Sequence, residues 1–261
     1  MNILNNIIEY KKIEVTKNKK LIPLAELKQT EFFNRTNYSL KQFLLDETKT
    51  GIIAEFKRKS PSKGIINNRA AVVEVTTAYT DHGASCLSVL TDNEFFGGSS
   101  VDLISARANA IPILRKDFII DEYQLTEAKA MGADAILLIA ACLTPDRVKE
   151  LAFFAKLLGL EVLLEIHTEQ ELQHMCNEVD MVGVNNRDLK TFSVDINRSI
   201  ELSKKIPADK IKIAESGIDK PETIKIFKDA GFKGFLMGEN FMKAEDPGEA
   251  FRQFTEKIKQ L

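Results

Sequence analysis

Lysines and glutamates stand at the ends of short apolar runs, a costly place for a charged side chain. Glu55 and Lys57 close the run Gly51–Lys57, where they alternate with Ala54 and Phe56 and so point to one side of a strand. Arg115, Lys116 and Asp117 close Pro112–Phe118, and Glu165 lies near the end of Glu161–His167. Asn185, Asn186 and Arg187 follow the run that begins at Met181, and Glu215, Ser216 and Gly217 finish Lys210–Gly217. One such residue reads as a surface or salt-bridged side chain. Several converging on one mouth read differently, because buried charge is costly unless it is paired or used. A lysine held beside carboxylates keeps its proton, which suits a general acid or an anion clamp better than a Schiff-base nucleophile.

A phosphate site is expected beside them. Ser216-Gly217 and Gly238-Glu239 follow the last two runs, where glycine lets backbone N–H groups approach oxygens and a helix start adds its dipole. Ser60, in the segment Ser60–Gly64 after the first run, adds a hydroxyl, and Lys63 a cation. Phe96 in a glycine-flanked loop, with Phe118, Leu114, Leu137 and Leu189, would line an apolar or aromatic substrate pocket. The histidines carry little: His82 and His174 fall in helical stretches, and only His167 is near the mouth. No Asp/His spacing suggests a metal site.

The elements that must position these residues form a rhythm. Between Gly51–Lys57 and Gly234–Gly238 lie Ala84–Thr91, Pro112–Phe118, Ala133–Ala140, Glu161–His167, Met181–Asn186 and Lys210–Gly217, which makes eight runs. Several are almost continuously apolar, as parallel strands covered on both faces are. Amphipathic helices separate them, with start signals at Thr144-Pro145, Thr168–Glu171 and Asp246-Pro247, and stops at Gly83, Gly132, Gly159 and Gly231. This pattern predicts an α/β chain of (β/α)8 barrel type, for which 261 residues is the right length. A doubly wound open sheet is the structural alternative. Residues 1–48 do not fit the repeat. Ile3, Leu4, Ile7 and Ile8 share a helical face, Lys17–Lys20 reads as a solvated turn, and Leu40, Phe43 and Leu44 suggest another helix. These residues are expected to form a helical N-terminal extension on the barrel, so that residues 1–261 make a single domain.

The bulk composition excludes other classes. With 36 Lys+Arg against 38 Asp+Glu, nothing favours a nucleic-acid or membrane partner. No run is long enough to span a bilayer, and the start lacks the pattern of a secretory signal. Cys86, Cys142 and Cys176 form no CxxC pair and read as free thiols of a cytoplasmic protein.

Taken in order, the motifs resemble those of one family. Ile53-Ala-Glu-Phe-Lys-Arg-Lys-Ser-Pro-Ser-Lys-Gly64 is similar to the first-strand signature of the indole-3-glycerol-phosphate synthases. Leu87–Thr91 with Phe96–Ser99, Pro112–Phe118, Leu164–His167, Gly183–Leu189 and Ala214–Ile218 continue the resemblance over essentially the whole chain. The resemblance implies a carboxy-lyase of tryptophan biosynthesis that needs no cofactor. Its substrate would be 1-(2-carboxyphenylamino)-1-deoxyribulose 5-phosphate, and a monomer is expected over a dimer. By position it makes Lys116 the general acid, Lys57 the clamp on the substrate carboxylate, and Glu165 the group that steadies charge on nitrogen or assists dehydration. Glu55 and Asn185 would position the sugar hydroxyls, and Glu215 would support the lysines. Ser216, Gly217, Gly238 and the backbone of Glu239 would cradle the phosphate, with Arg187 and Ser60 nearby. Glu239 departs from what a phosphate site would favour, since its carboxylate must turn away. A phosphoribosylanthranilate isomerase, the nearest rival, would need a Cys or Asp acid–base pair where this chain has lysines and glutamates. A barrel that only binds metabolites would not keep the whole polar set.

Overall fold

A computed structural model of the protein describes residues 3–187 and 193–260. It begins with three helices, α1 (Ile3–Leu21), α2 (Leu24–Leu27) and α3 (Leu40–Leu45). Strand β1 (Ile52–Phe56) follows, and a small antiparallel hairpin, β2 (Lys59–Ser60) with β3 (Gly64–Ile65), stands beyond its end. The rest alternates: α4 (Val72–Asp81), β4 (Cys86–Leu90), α5 (Ser100–Ala106), β5 (Ile113–Lys116), α6 (Glu122–Met131), β6 (Ala135–Ile139) and α7 (Pro145–Leu157). Then come β7 (Glu161–Ile166), β8 (Met181–Asn185), α8 (Ile196–Ser203), β9 (Ile211–Glu215), α9 (Pro221–Asp229), β10 (Gly234–Met237), α10 (Glu239–Met242) and α11 (Pro247–Ile258). Strands β1 and β4 to β10 pair in parallel and close on themselves, β1 meeting both β4 and β10. The chain is a (β/α)8 barrel rather than an open sheet.

Period-two alternation divides the core in two. Ile52, Ala54 and Phe56 face outward to the helices, as do Ile113, Ile136, Val162 and Val182. Ile53, Cys86, Leu114, Leu137, Leu163, Met181 and Ile213 face inward, and Leu40 and Leu44 of α3 join them. Leu44 packs beside Gly234, the first residue of β10, so α3 plugs the N-terminal end of the barrel. Burying this inner cluster contributes on the order of 2 kcal/mol per large aliphatic side chain.

The caps read from sequence hold the helices. Thr144 accepts from the Arg147 N–H with Pro145 in the first turn, and Asp246 accepts from Glu249 with Pro247 following. Two local expectations change. Lys17–Lys20 is not a turn but the solvated last stretch of α1, where lysines also suit the helix dipole. The segment started at Thr168 becomes a 3₁₀ helix, Glu169–His174, instead of an α-helix. The His174 ring contacts the Glu171 carbonyl at 3.1 Å, the group an α-helix would offer to the Met175 N–H, which bonds Leu172 instead.

Candidate active site

Register brings the charged strand ends to one level. Across neighbouring strands Glu55 lies beside Ser88, Leu90 beside Lys116, Ile139 beside Glu165, and Asn185 beside Glu215. Glu55, Lys116, Glu165 and Glu215 each sit two residues beyond an inward apolar side chain, so the polar layer caps the inner core at the C-terminal mouth. The cavity there is lined by Glu55, Lys57, Lys116, Glu165, Asn185 and Glu215. Ser60, Arg187, Ser216, Gly217, Gly238 and Glu239 lie on its rim and Phe96, Phe118 and Leu137 on its apolar wall.

Two lysines occupy the cavity with different partners. Lys57 Nζ is 2.7 Å from Glu55 Oε1, and Glu55 also accepts from the Ser88 hydroxyl at 3.4 Å. Lys116 Nζ is 3.2 Å from Glu165 Oε2 and 3.9 Å from Glu215 Oε2. The other oxygen of Glu165 accepts from the Asn185 amide at 3.1 Å and faces His167 Nε2 at 3.3 Å.

These contacts set the protons. Burial disfavours the Lys116 charge, but Glu165, Glu215 and Glu55 more than offset it and raise its pKa. Burial likewise opposes ionisation of Glu165. Lys116, His167 and the Asn185 hydrogen bond overcome it and bring the carboxyl down to about 2. Glu215 goes the other way. Burial and the neighbouring Glu165 charge push its pKa well above the ordinary carboxyl value, and Glu165 is the first counter-charge of Lys116. Gly183 makes room for this carboxyl, since a Cβ there would stand 2.0 Å from Glu215 Oε1.

The rim at Ser216 and Gly217, expected from sequence to take a phosphate, has its own backbone. Ser216 and Gly217 both adopt left-handed conformations, with φ of 66° and 69°. Left-handed backbone costs glycine nothing, whereas Ser216 is held there against its side chain. At Gly217 a Cβ would also strike Val194 at 2.3 Å. Gly238 precedes α10, whose first residue, Glu239, faces two cations: Lys63 at 3.8 Å and Arg187 at 3.8 Å.

One residue from the expected apolar pocket is elsewhere. Leu114 is fully buried inside the barrel with Ile53 and Cys86, because it precedes Lys116 by two positions and so lies one layer below the mouth. Leu189 lies outside the described residues. Phe96 and Phe118 do meet, with ring centroids 5.9 Å apart. Sequence reasoning missed Ile3, Leu4 and Ile7 of α1, which close the cavity over these rings, and Leu90 and Ile139, which complete its polar layer with apolar spacers. The signal for the last two was their placement on the inward face of strands whose neighbours carried Lys116 and Glu165.

A closed (β/α)8 barrel with an ammonium–carboxylate pair, a left-handed Ser216-Gly217 turn and an aromatic wall at its C-terminal mouth has the architecture of a barrel enzyme. The indole-3-glycerol phosphate synthase family profile matches residues 4–254. The chain is similar to an indole-3-glycerol phosphate synthase of Bacteroides thetaiotaomicron, 48% identical over 98% of this chain and 99% of the relative. A synthase of the same name from Caldanaerobacter subterraneus is 42% identical over 98% and 99%. This chain belongs to the indole-3-glycerol phosphate synthase family, carboxy-lyases of tryptophan biosynthesis. Solved structures of lower identity share the fold alone. They include KGPDC from Streptococcus mutans (TM-score 0.57, 16% identical, 72% of this chain and 91% of that one) and a mandelate oxidase variant with benzaldehyde (TM-score 0.59, 17% identical, 73% and 68%).

Proposed function

We propose that this chain closes the indole ring of its substrate as follows, with Lys116 as the acid. The ring carbon that bears the carboxylate in 1-(2-carboxyphenylamino)-1-deoxyribulose 5-phosphate attacks the ketone carbon, and Lys116 gives a proton to the ketone oxygen. Carbon dioxide then leaves, its bonding pair restoring the aromatic ring. Loss of the new hydroxyl as water, with a proton from the neighbouring carbon, completes the pyrrole. Glu165 steadies the positive charge on nitrogen or assists the dehydration, Lys57 holds the carboxylate until it departs, and Glu55 and Asn185 position the sugar hydroxyls. Glu215 supports Lys116 from 3.9 Å. Ser216, Gly217, Gly238 and the Glu239 backbone receive the phosphate, with Arg187 and Ser60 at its edge. Holding the two carbons in contact supplies much of the rate, and the acid supplies the rest.

The observation that carries this reading is the Lys116–Glu165 contact at 3.2 Å in a cavity that Phe96, Phe118, Ser216 and Gly217 also line. Residues 1–48 belong to the same working unit, since α1 contributes three side chains to the cavity. A monomer is favoured over a dimer, and the free thiols Cys86, Cys142 and Cys176 fit a reducing compartment such as the cytoplasm. The test is to supply the carboxyphenylamino-deoxyribulose phosphate and follow indole fluorescence together with carbon dioxide release. The absence of tryptophan keeps the background low. Indole and carbon dioxide should appear in equal amounts, and folded protein that yields neither overturns the proposal.

A further inference from the structure

Helix α1 buries Ile7, Lys11 and Val15 at intervals of four, so a lysine lies in the middle of its apolar stripe. Lys11 is 1% exposed, which demands compensation. Its ammonium lies 2.9 Å from Asp117 Oδ1, 3.1 Å from Asp92 Oδ2 and 2.7 Å from Glu14 Oε2. The grouping is an ion cluster more than a set of well-aimed hydrogen bonds. Burial opposes the Lys11 charge, yet Asp117, Asp92 and Glu14 raise its pKa overall.

Each aspartate uses its remaining capacity on a loop. Asp92 Oδ1 accepts the N–H groups of Phe95 at 2.8 Å and Phe96 at 3.1 Å. Asp117 Oδ1 accepts the N–H of Phe118 at 2.8 Å, while its Oδ2 takes the Thr91 hydroxyl at 2.6 Å and Arg115 at 3.1 Å. One ammonium therefore joins the carboxylate that shapes the loop of Phe96 to the carboxylate that shapes the loop of Phe118. The two rings are the aryl wall of the mouth, and Asp117 directly follows Lys116. A turn before Lys11, Ile7 seals the same cavity, and Tyr10 sits edge-on to Phe95 at 5.7 Å.

We propose that Lys11 is a positioning residue that sets the spacing of Phe96 and Phe118 by tying the loops after β4 and β5 to α1. The kinetic part of this proposal rests on the ring-closing function above. Lys11 touches no reacting atom, and the phosphate rim on β9 and β10 lies outside its cluster.

The experiment compares wild type with Lys11→Met, at a temperature well below the unfolding midpoint of each, by residue-resolved hydrogen exchange and steady-state kinetics. Exchange should accelerate at the Phe95, Phe96 and Phe118 amides and stay unchanged on β9 and β10. A misplaced aryl wall should lower kcat/KM by about 100-fold, mostly through KM. Competitive inhibition by inorganic phosphate should stay within about twofold of wild type, since the charge lost is distant from the rim and screened. Lys11→Arg, which keeps a cation, should recover part of the loss. If Lys11→Met does not fold, Lys11→Met combined with Asp92→Asn, which relieves one uncompensated carboxylate, takes its place and should show the same pattern. Wild-type exchange at those three amides, or acceleration spread evenly over the barrel, overturns the proposal. So does a kcat/KM within twofold of wild type, or phosphate inhibition that weakens in step with KM. Failure of the wild type to turn over substrate would sink the ring-closing function instead, and the exchange data would still decide what Lys11 does.

Discussion

The two ends of the barrel both bury charge, but they treat it in opposite ways. At the N-terminal end Asp134 is saturated: it accepts from the Tyr38 N–H at 2.8 Å, the Ile113 N–H at 2.8 Å, Arg107 at 2.6 Å and, in a short contact, Arg35. Arg107 spends its other nitrogen on the carbonyls of Asn109 and Ile111. At the C-terminal mouth, Glu215 Oε1 is buried without a hydrogen-bond partner, and both ring nitrogens of His167 lack one. Charge that is fully paired fastens α3 and its approach to the strands. A polar atom left without a partner in the cavity wall, as Glu215 Oε1 is, stands available to a substrate.

Variants at the two ends should therefore separate activity from stability. Lys116→Ala should cost about 10³-fold or more in kcat, as loss of a general acid does, with the fold intact by circular dichroism. Near-normal turnover would remove Lys116 from its role. Asp134→Ala at the opposite end should leave kcat per folded molecule unchanged but destabilise by roughly 3–5 kcal/mol, a midpoint drop of about 10 °C by calorimetry. A large kcat loss there would break the division between the ends.

A third variant sharpens it through pH. Glu215 keeps in the fold a proton that the unfolded chain releases above the ordinary carboxyl pKa of 4.5, so its raised pKa erodes stability as pH climbs from there. Glu215→Gln removes that cost. Its stability should exceed the wild-type value by a margin that widens as pH rises above 4.5, by up to about 1.4 kcal/mol per unit until the folded pKa is passed. Glu165 has the opposite sign: with a folded pKa of about 2, its stabilisation is present above the ordinary value and is lost as pH falls toward 2. A margin independent of pH would mean that Glu215 is ionised. The smallest effect is expected at Glu239, whose carboxylate competes with phosphate for Lys63 and Arg187. Glu239→Ser should tighten inhibition by inorganic phosphate by about threefold, the scale of an exposed ion pair.

Much of the mouth was legible because strand alternation is a local code. Glu55 and Lys57 announce their common side within three residues, and Lys116, Glu165 and Glu215 each close an apolar run. Depth along the barrel axis was harder to read. Leu114 shares the face of Lys116 but lies a layer lower, and only the register of neighbouring strands fixes that level. Least legible was α1. Its lysine among isoleucines reads as a solvated residue until Asp92 and Asp117 are brought to it from the distant strand ends. The Glu171 carboxylate that starts the 3₁₀ turn was visible, whereas the His174 ring that diverts the same turn from α-helical bonding acts through a side chain folded back on the backbone.

The docking of α1 also orders assembly. Asn18 reaches Glu127 across 109 positions, and Tyr123 donates to the Asn18 and Ile22 carbonyls, so α1 has its seat on α6. Contacts of such sequence separation form slowly, since a long loop must close before they reward it. During synthesis α1 must wait with its apolar stripe uncovered until the chain through α6 has emerged. From that point it can settle, while β7 and β9, which carry Glu165 and Glu215, are still to come. The lining over the aryl pocket can thus be seated before the strands that carry Glu165 and Glu215 are made.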